Sequence, residues 1–229
     1  MSLAGKGVIA IWQDLIPEAK QDYYEWHNRQ HMPERLSIPG FRRARRFVAV
    51  KGGPEFYTLY EADSHDDVRG KAYLDRLNAP TEWTRRIMPA FRNMARAVCR
   101  VAFTCGVGEG GFIITQRIAL PCEKKQDLIG KLSENVLPSL ANLPGVVGVH
   151  LCIADESAST VETFEKTFRA AEDLTPPCVL MIEGTSCAYV EAAGNVVIQE
   201  SVPMCADSAV YQLEHALVNF DCNGSAPKL

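Results

Sequence analysis

The sequence has no CxxC pair and no cysteine–histidine spacing suited to zinc; its eight cysteines stand singly. Zinc-ribbon and thioredoxin-type chemistry are thereby excluded, and the scattered thiols read as reduced, buried groups of a cytoplasmic protein. Long apolar runs are missing as well. Near the start the longest is Gly7–Trp12, too short for a membrane span or the core of a secretory signal. There is no GxSxG elbow, no P-loop and no HExxH. No basic surplus exists either, since the net charge is −4, which argues against nucleic acid as a partner. Arginine is scarce in one half only: two of 15 lie beyond residue 106.

What is present is globular, with 47% hydrophobic and 23% charged residues in a chain of 229. That length suits one large domain or two of about 100–115 residues. Charge divides the chain in the same way. Residues 1–106 carry 17 Lys+Arg against 12 Asp+Glu, whereas residues 107–229 carry 7 against 16.

An internal repeat gives the division structural meaning. Met32–Phe41 (MPERLSIPGF) and Leu137–Val146 (LPSLANLPGV) align Pro33, Pro39 and Gly40 with Pro138, Pro144 and Gly145 at an offset of 105. Around each lies the same order of patterns. A β-like run (Val8–Gln13; Phe112–Ile118) is followed by a helical stretch (Pro17–Ile38; Pro121–Leu143). A second strand (Phe41–Val50; Val146–Ala154) and a third (Phe56–Ala62; Val179–Gly184) come next. A further helix (Asp66–Leu77; a weaker one near Ala188–Ala193) and a last strand (Asn93–Phe103; Ala209–Val218) complete each copy. The third strands align Tyr60-Glu61-Ala62 with Ile182-Glu183-Gly184 at an offset of 122, so the second copy has gained 17 residues, within 155–175. The expected class is α+β: two ferredoxin-like βαββαβ repeats, 1–106 and 107–229, packed sheet to sheet as an intrachain pseudo-dimeric barrel around a pocket. The glycines Gly106, Gly108 and Gly111 have GxGxxG spacing, but a strand follows them instead of a helix, so they read as a linker.

The first helix carries the most unusual composition. Tyr24, His27, His31 and Arg35 form one stripe, with Ala19, Trp26, Pro33 and Leu36 on a competing apolar face. The repeat arbitrates: Leu128, Ile129, Leu132, Val136 and Leu140 stand where the first copy has Tyr23, Tyr24, His27, His31 and Arg35. The first copy has therefore exchanged core-facing aliphatic positions for polar ones, which is costly unless they are bonded or used. His27, His31 and Glu34 also offer a weaker metal reading, two histidines and a carboxylate. On the second strand, alternation separates Arg43 and Arg45 from Arg42 and Arg46. On the last strand, Ala95, Ala97 and Cys99 suit packing under helices. Arg96 and Arg100 are thereby expected to face the opposing half, whose acidic surplus supplies partners. Trp12, Tyr57, Tyr60 and Trp83 are candidates to line an apolar pocket.

The run Tyr24-Glu25-Trp26-His27-Asn28-Arg29-Gln30-His31-Met32-Pro33-Glu34-Arg35-Leu36, with Ile38-Pro39-Gly40-Phe41, resembles the dimeric α/β-barrel superfamily and within it the EthD-like proteins. The resemblance covers residues 7 to 103, and a degenerate second copy extends to 220. Superfamily relatives include cofactor-independent monooxygenases, muconolactone isomerases, polyketide dehydratases, haem-degrading enzymes and chlorite dismutase-like proteins, so the resemblance implies fold more than reaction. It makes His31 the match to the family's histidine, with His27 beside it. The expected function is a cofactor-independent isomerase, dehydratase or monooxygenase acting on a small anionic aromatic or carbonyl metabolite, with no metal. His31 or His27 is expected to move the proton near neutral pH, Tyr24 to orient it or to donate to a developing enolate, and Arg35 with Arg43 or Arg96 to hold the anion. A non-catalytic ligand-binding barrel is the alternative, and a haem-handling protein a third. The chain is expected to act as a pseudo-dimeric monomer or as a homodimer joined through the Trp26 side of its helix.

Overall fold

The computed structural model describes residues 2–119, 129–170, 173–199 and 205–219. Its eight strands are β1 (Gly7–Leu15), β2 (Phe41–Lys51), β3 (Phe56–Ala62), β4 (Phe91–Gly106), β5 (Phe112–Ile118), β6 (Val146–Ala154), β7 (Cys178–Gly184) and β8 (Cys205–Val218). They close into one antiparallel barrel in the order β1-β3-β2-β8-β5-β7-β6-β4. Strands β1 to β4 thus lie side by side in the order β4-β1-β3-β2, and β5 to β8 repeat it as β8-β5-β7-β6. Two seams, β2–β8 and β4–β6, join the sets. The chain closes its own barrel, which removes the exposed edges a single βαββαβ unit would leave.

The first helix is composite: a 3₁₀ turn Pro17–Ala19, an α-helical stretch Lys20–Trp26, a π turn His27–His31 and a last α turn Met32–Leu36. Its counterpart has a π turn at Leu132–Val136 followed by Leu137–Leu140, the same offset of 105. The expected start of that helix, 120–128, lies outside the described residues. Proline explains both π turns. Pro33 and Pro138 lack an N–H, and their rings would collide with the carbonyls of Arg29 and Glu134 four residues earlier; widening the turn makes room. The helix Cys187–Gln199 is longer than the sequence pattern promised, because Val190, Ala193, Gly194 and Val197 form a narrow buried stripe of small residues.

One core cluster draws on all eight strands and on no helix, so it is the barrel interior; Trp12, Phe47, Tyr57, Met181 and Tyr211 are its large members. The alternate strand residues point outward beneath the helices: Ile9, Ala44, Tyr60 and Val98 against Met32, Leu36 and Leu77, and Ile114, Leu151, Leu180 and Ile182 against Leu132, Leu140 and Val190. This corrects two expectations. The interior is packed with side chains where a pocket was expected. The faces of β4 are also reversed: Ala95, Ala97 and Cys99 line the interior, where small residues leave space for Trp12 and Tyr57, and Arg96 lies on the outer face, donating to the hydroxyl of Tyr73 at 3.0 Å.

The charge asymmetry is realised as cross-half ion pairs. Arg45 with Glu183, Arg46 with Glu214, Arg43 with Glu109, Lys51 with Glu191 and Arg35 with Glu165 all place the cation in residues 1–106 and the carboxylate beyond. Among the described residues no helix is long and apolar enough to cross a membrane.

Candidate functional site

The first helix lies on the outer face of β1, β3 and β2 and buries the stripe expected to do so: His27 and His31 are only 2% and 6% exposed. Tyr23 stacks on His27 at 5.0 Å between ring centroids. The Nη1 of Arg46 lies 3.0 Å from His27 Nδ1 and the Tyr60 hydroxyl 3.3 Å from Nε2. A guanidinium can only donate, so Nδ1 is the acceptor and Nε2 carries the proton, which it donates to the Tyr60 oxygen. The Tyr60 hydrogen is left to donate elsewhere. Burial, then Arg46, pushes the His27 imidazole well below its ordinary range. His31 packs on Trp26 at 4.1 Å and on His27 at 5.6 Å, and its Nδ1 has no partner. Burial, then Arg35 and His27, pushes it down as well. Both imidazoles are therefore neutral at pH 7, which corrects the expectation of titration near neutrality.

Arg35, also buried, pairs with Glu165 and sits 3.6 Å from Glu34, its guanidinium 6.0 Å from the centre of the Tyr73 ring. Arg96 flanks the same ring at 5.9 Å. The structure thus brings together His27, His31, Arg35 and Arg96. Glu165 comes from the insertion of the second half, as does Arg169, which lies 3.5 Å from Glu165 and pairs with Asp173. A narrow cavity of about 20 Å³ is lined by His27, His31, Thr58, Tyr60, Glu165 and Arg169.

The other expected site residues lie elsewhere. Tyr24 is half-buried under Arg46, 4.8 Å from guanidinium to ring centre; burial, then Glu214, pushes its hydroxyl up to about 12. It does not orient a histidine; Tyr23 and Tyr60 contact His27 instead. Trp12 and Tyr57 stack at 5.1 Å inside the barrel, the Trp12 indole donating to Thr115 at 3.0 Å and the Tyr57 hydroxyl to the Met181 sulfur at 2.9 Å. Strand alternation puts them on the opposite face of the sheet from the histidines. Arg43 is inside too, donating to Glu61 at 2.6 Å and to the Ser2 carbonyl at 2.6 Å. Trp26 is buried and donates to Thr84 at 3.2 Å, because the segment behind the helix Lys71–Leu77 covers it; it offers no free dimer face. The metal trio does not assemble: both nitrogens of His27 have partners, and Glu34 turns to Arg76 and Arg35.

A second polar cluster, missed from sequence, closes one end of the barrel. Arg45 is fully buried, donating to Glu61 at 3.0 Å and with both terminal nitrogens to Glu183 at 2.8 and 2.9 Å. Glu183 lies 3.4 Å from His150, which also meets Ser2 at 2.9 Å and Thr104 at 2.8 Å. Arg45 and His150 are repeat equivalents, as are Glu61 and Glu183. Burial alone would raise the Glu183 carboxyl, but Arg45 and the bond from His150 outweigh it and hold the group far below its usual range.

No protein-family profile and no curated protein matches the chain. Solved structures do. An anthrone oxidase-like protein superposes with a TM-score of 0.62 at 14% identity, covering 95% of each chain. A protein of Fusobacterium nucleatum provisionally named a monooxygenase gives 0.55 at 11% identity, over 99% of this chain and 100% of that one. Another, provisionally named a chlorite dismutase, gives 0.54 at 9% identity, over 92% and 95%. At such identities the likeness is one of fold. That fold is the dimeric α/β barrel, built here from two ferredoxin-like sets of strands in a single chain. A haem does not fit at the histidines. The cavity they line is about 20 Å³, and both rings are already stacked against aromatic neighbours.

Proposed function

We propose that the protein is a cofactor-independent enzyme that moves a proton on a small anionic, carbonyl-bearing metabolite, in an isomerisation, dehydration or oxygenation. One observation carries this reading: His31, whose Nδ1 has no partner, and Tyr60, whose proton is left to donate, both line the same cavity, near Arg35. His31, neutral at pH 7, is the acceptor for a proton α to the carbonyl. Tyr60 donates to the oxygen on which charge develops, and burial, opposed in part by Arg35, keeps its hydroxyl protonated far above its ordinary range. His27 is a positioning residue. Arg46 beside its Nδ1 forbids protonation there, so it orients Tyr60 and takes no proton itself. Residues 1–106 supply the catalytic groups and residues 107–229 the roof, so one chain carries one site.

The test is His31→Leu. Metabolites retained by the wild-type protein through purification, identified by mass spectrometry, should be lost from this variant and their turnover abolished. Stability should be unchanged or raised, since an unpaired buried polar atom is exchanged for apolar packing. Unfolding of His31→Leu would mark the histidine as structural and end the enzyme reading. The small cavity favours a second reading, a non-catalytic barrel, because about 20 Å³ holds a single water. On that reading His31→Leu and the wild type retain the same metabolites.

A further inference from the structure

Glu165 has no counterpart in the first half. It belongs to the extra segment of the second half, yet its side chain, 4% exposed, lies against Arg35 on the far side of the seam. It fills that place imperfectly. One terminal nitrogen of Arg35 and the Nε of Arg169 have no hydrogen-bond partner, although two guanidiniums around one carboxylate offer enough N–H groups for paired bonds on both sides. Among the described residues the cations of this neighbourhood outnumber its carboxylates. Arg35, Arg76, Arg96, Lys166 and Arg169 gather around Glu34, Glu162, Glu165 and Asp173. Arg96 and Lys166 have no carboxylate within salt-bridge distance among the described residues, and both spend donors on the carbonyl of Ser159, each at 3.3 Å. Arg35 and Arg96 are buried, and a buried cation short of partners is costly unless an anion completes it.

We propose that Arg35 and Arg169 form a carboxylate-binding subsite whose resident occupant is Glu165, and that the ligand of the His31 cavity is a small carboxylic acid anion that takes the place of Glu165. The inference rests on the reading of His31 and Tyr60 given above and names the chemical class of their substrate. Glu165 lines the cavity that His31 and Tyr60 line. A ligand carboxylate at its position therefore sets the neighbouring carbons between the proton acceptor and the proton donor. On the outer side Arg169 lines both this cavity and a surface groove of about 560 Å³. The segment is anchored at its ends to β4, through Ser159 to Val98 and through Leu174 to Met94 and Arg96; between them two backbone groups reach the first half, Glu165 N–H to the Leu77 carbonyl at 3.0 Å and Phe164 N–H to the Asn78 side chain at 2.9 Å. Exchange of one carboxylate for another leaves the local charge unchanged.

The test is calorimetric titration of wild type and Glu165→Gln with propionate, propionamide and chloride. Glu165→Gln keeps the roof and removes the competing charge, so it should bind propionate at least tenfold more tightly than wild type does. Propionamide and chloride should show no such gain, and adding Arg169→Gln should abolish it. Propionate binding no tighter in Glu165→Gln than in wild type overturns the proposal, as does an equal gain for chloride. Should Glu165→Gln fail to fold, Glu165→Asp withdraws the internal carboxylate by one methylene and the same comparison decides. The two readings fail separately. A propionate gain in Glu165→Gln with metabolite retention unaffected by His31→Leu keeps the subsite and ends the proton-transfer reading; the reverse pattern does the opposite.

Discussion

Replacing Arg45 by Met strips the closed end of the barrel of its central cation. Arg45 is wholly buried and gives three hydrogen bonds, one to Glu61 and two to Glu183. In the variant Glu61 keeps Arg43 and the backbone N–H of Ala4, at 2.6 and 2.8 Å. Glu183 keeps only His150 and a long bond of 3.3 Å from the Gly110 N–H. Stranding one partner of a buried ion pair costs about 3–5 kcal/mol. For a chain of this length each kcal/mol moves Tm by about 2–4 °C, so a fall of roughly 6–20 °C is expected. Adding Glu183→Gln removes the stranded charge and should recover part of the loss. The pH dependence has a definite sign. In the wild type the Glu183 pKa is depressed, so its contribution is full above the ordinary carboxylate range and is lost as pH falls below it. Without Arg45 the carboxyl protonates more readily, and the deficit of Arg45→Met should shrink between pH 7 and pH 4. Urea unfolding of the four proteins of the double-mutant cycle measures all of this. A loss under about 1 kcal/mol, or a double variant no more stable than Arg45→Met, would refute the assignment of this cluster as an essential charge balance.

Three further outcomes are expected. His27 and His31 both have folded-state pKa values below the unfolded one, so their stabilising contribution is full above about pH 6.5 and declines as pH falls, by up to about 1.4 kcal/mol per pH unit for each; urea midpoints at pH 7 and 5.5 should show the decline, and His31→Leu should reduce it. Gly40 has a φ of +87°, and a β-carbon there would meet the Asp67 side chain at 2.3 Å; Gly40→Ala should cost at least about 1–2 kcal/mol in thermal unfolding. Gly130, in the helical stretch before Leu132, has open space around it, so Gly130→Ala should stabilise by about 0.5–1 kcal/mol.

Much of this was legible in the sequence because duplication wrote the same pattern twice. The shared Pro-Gly and the order of strands foretold the barrel, and the second copy's aliphatic stripe foretold the burial of His27, His31 and Arg35. The polar end of the barrel had left a signal too: Glu61 and Glu183 are acidic residues in matching places of two otherwise apolar strands, and Arg45 and His150 share an offset of 105. Their pairing across the interior needed the closed topology to be seen. The face that Arg96 takes is not legible, because small residues suit a crowded barrel interior as well as a helix contact, and strand alternation cannot tell the two apart. Glu165 left no signal, since the insertion that carries it has no second copy with which to compare it.

The seams have a consequence for how such a chain can evolve. Strand β2 completes its ladder on β8, and β4 on β6. Neither half could be shed after the duplication without baring two strand edges and the charged interior of Arg43 and Arg45. Held in place by that obligation, the second half was free to lose polar chemistry from its own helix and to grow a segment over its neighbour's. The two halves thus share one barrel but not one surface: the first presents its buried polar stripe, and the second lays Glu165 and Arg169 across it.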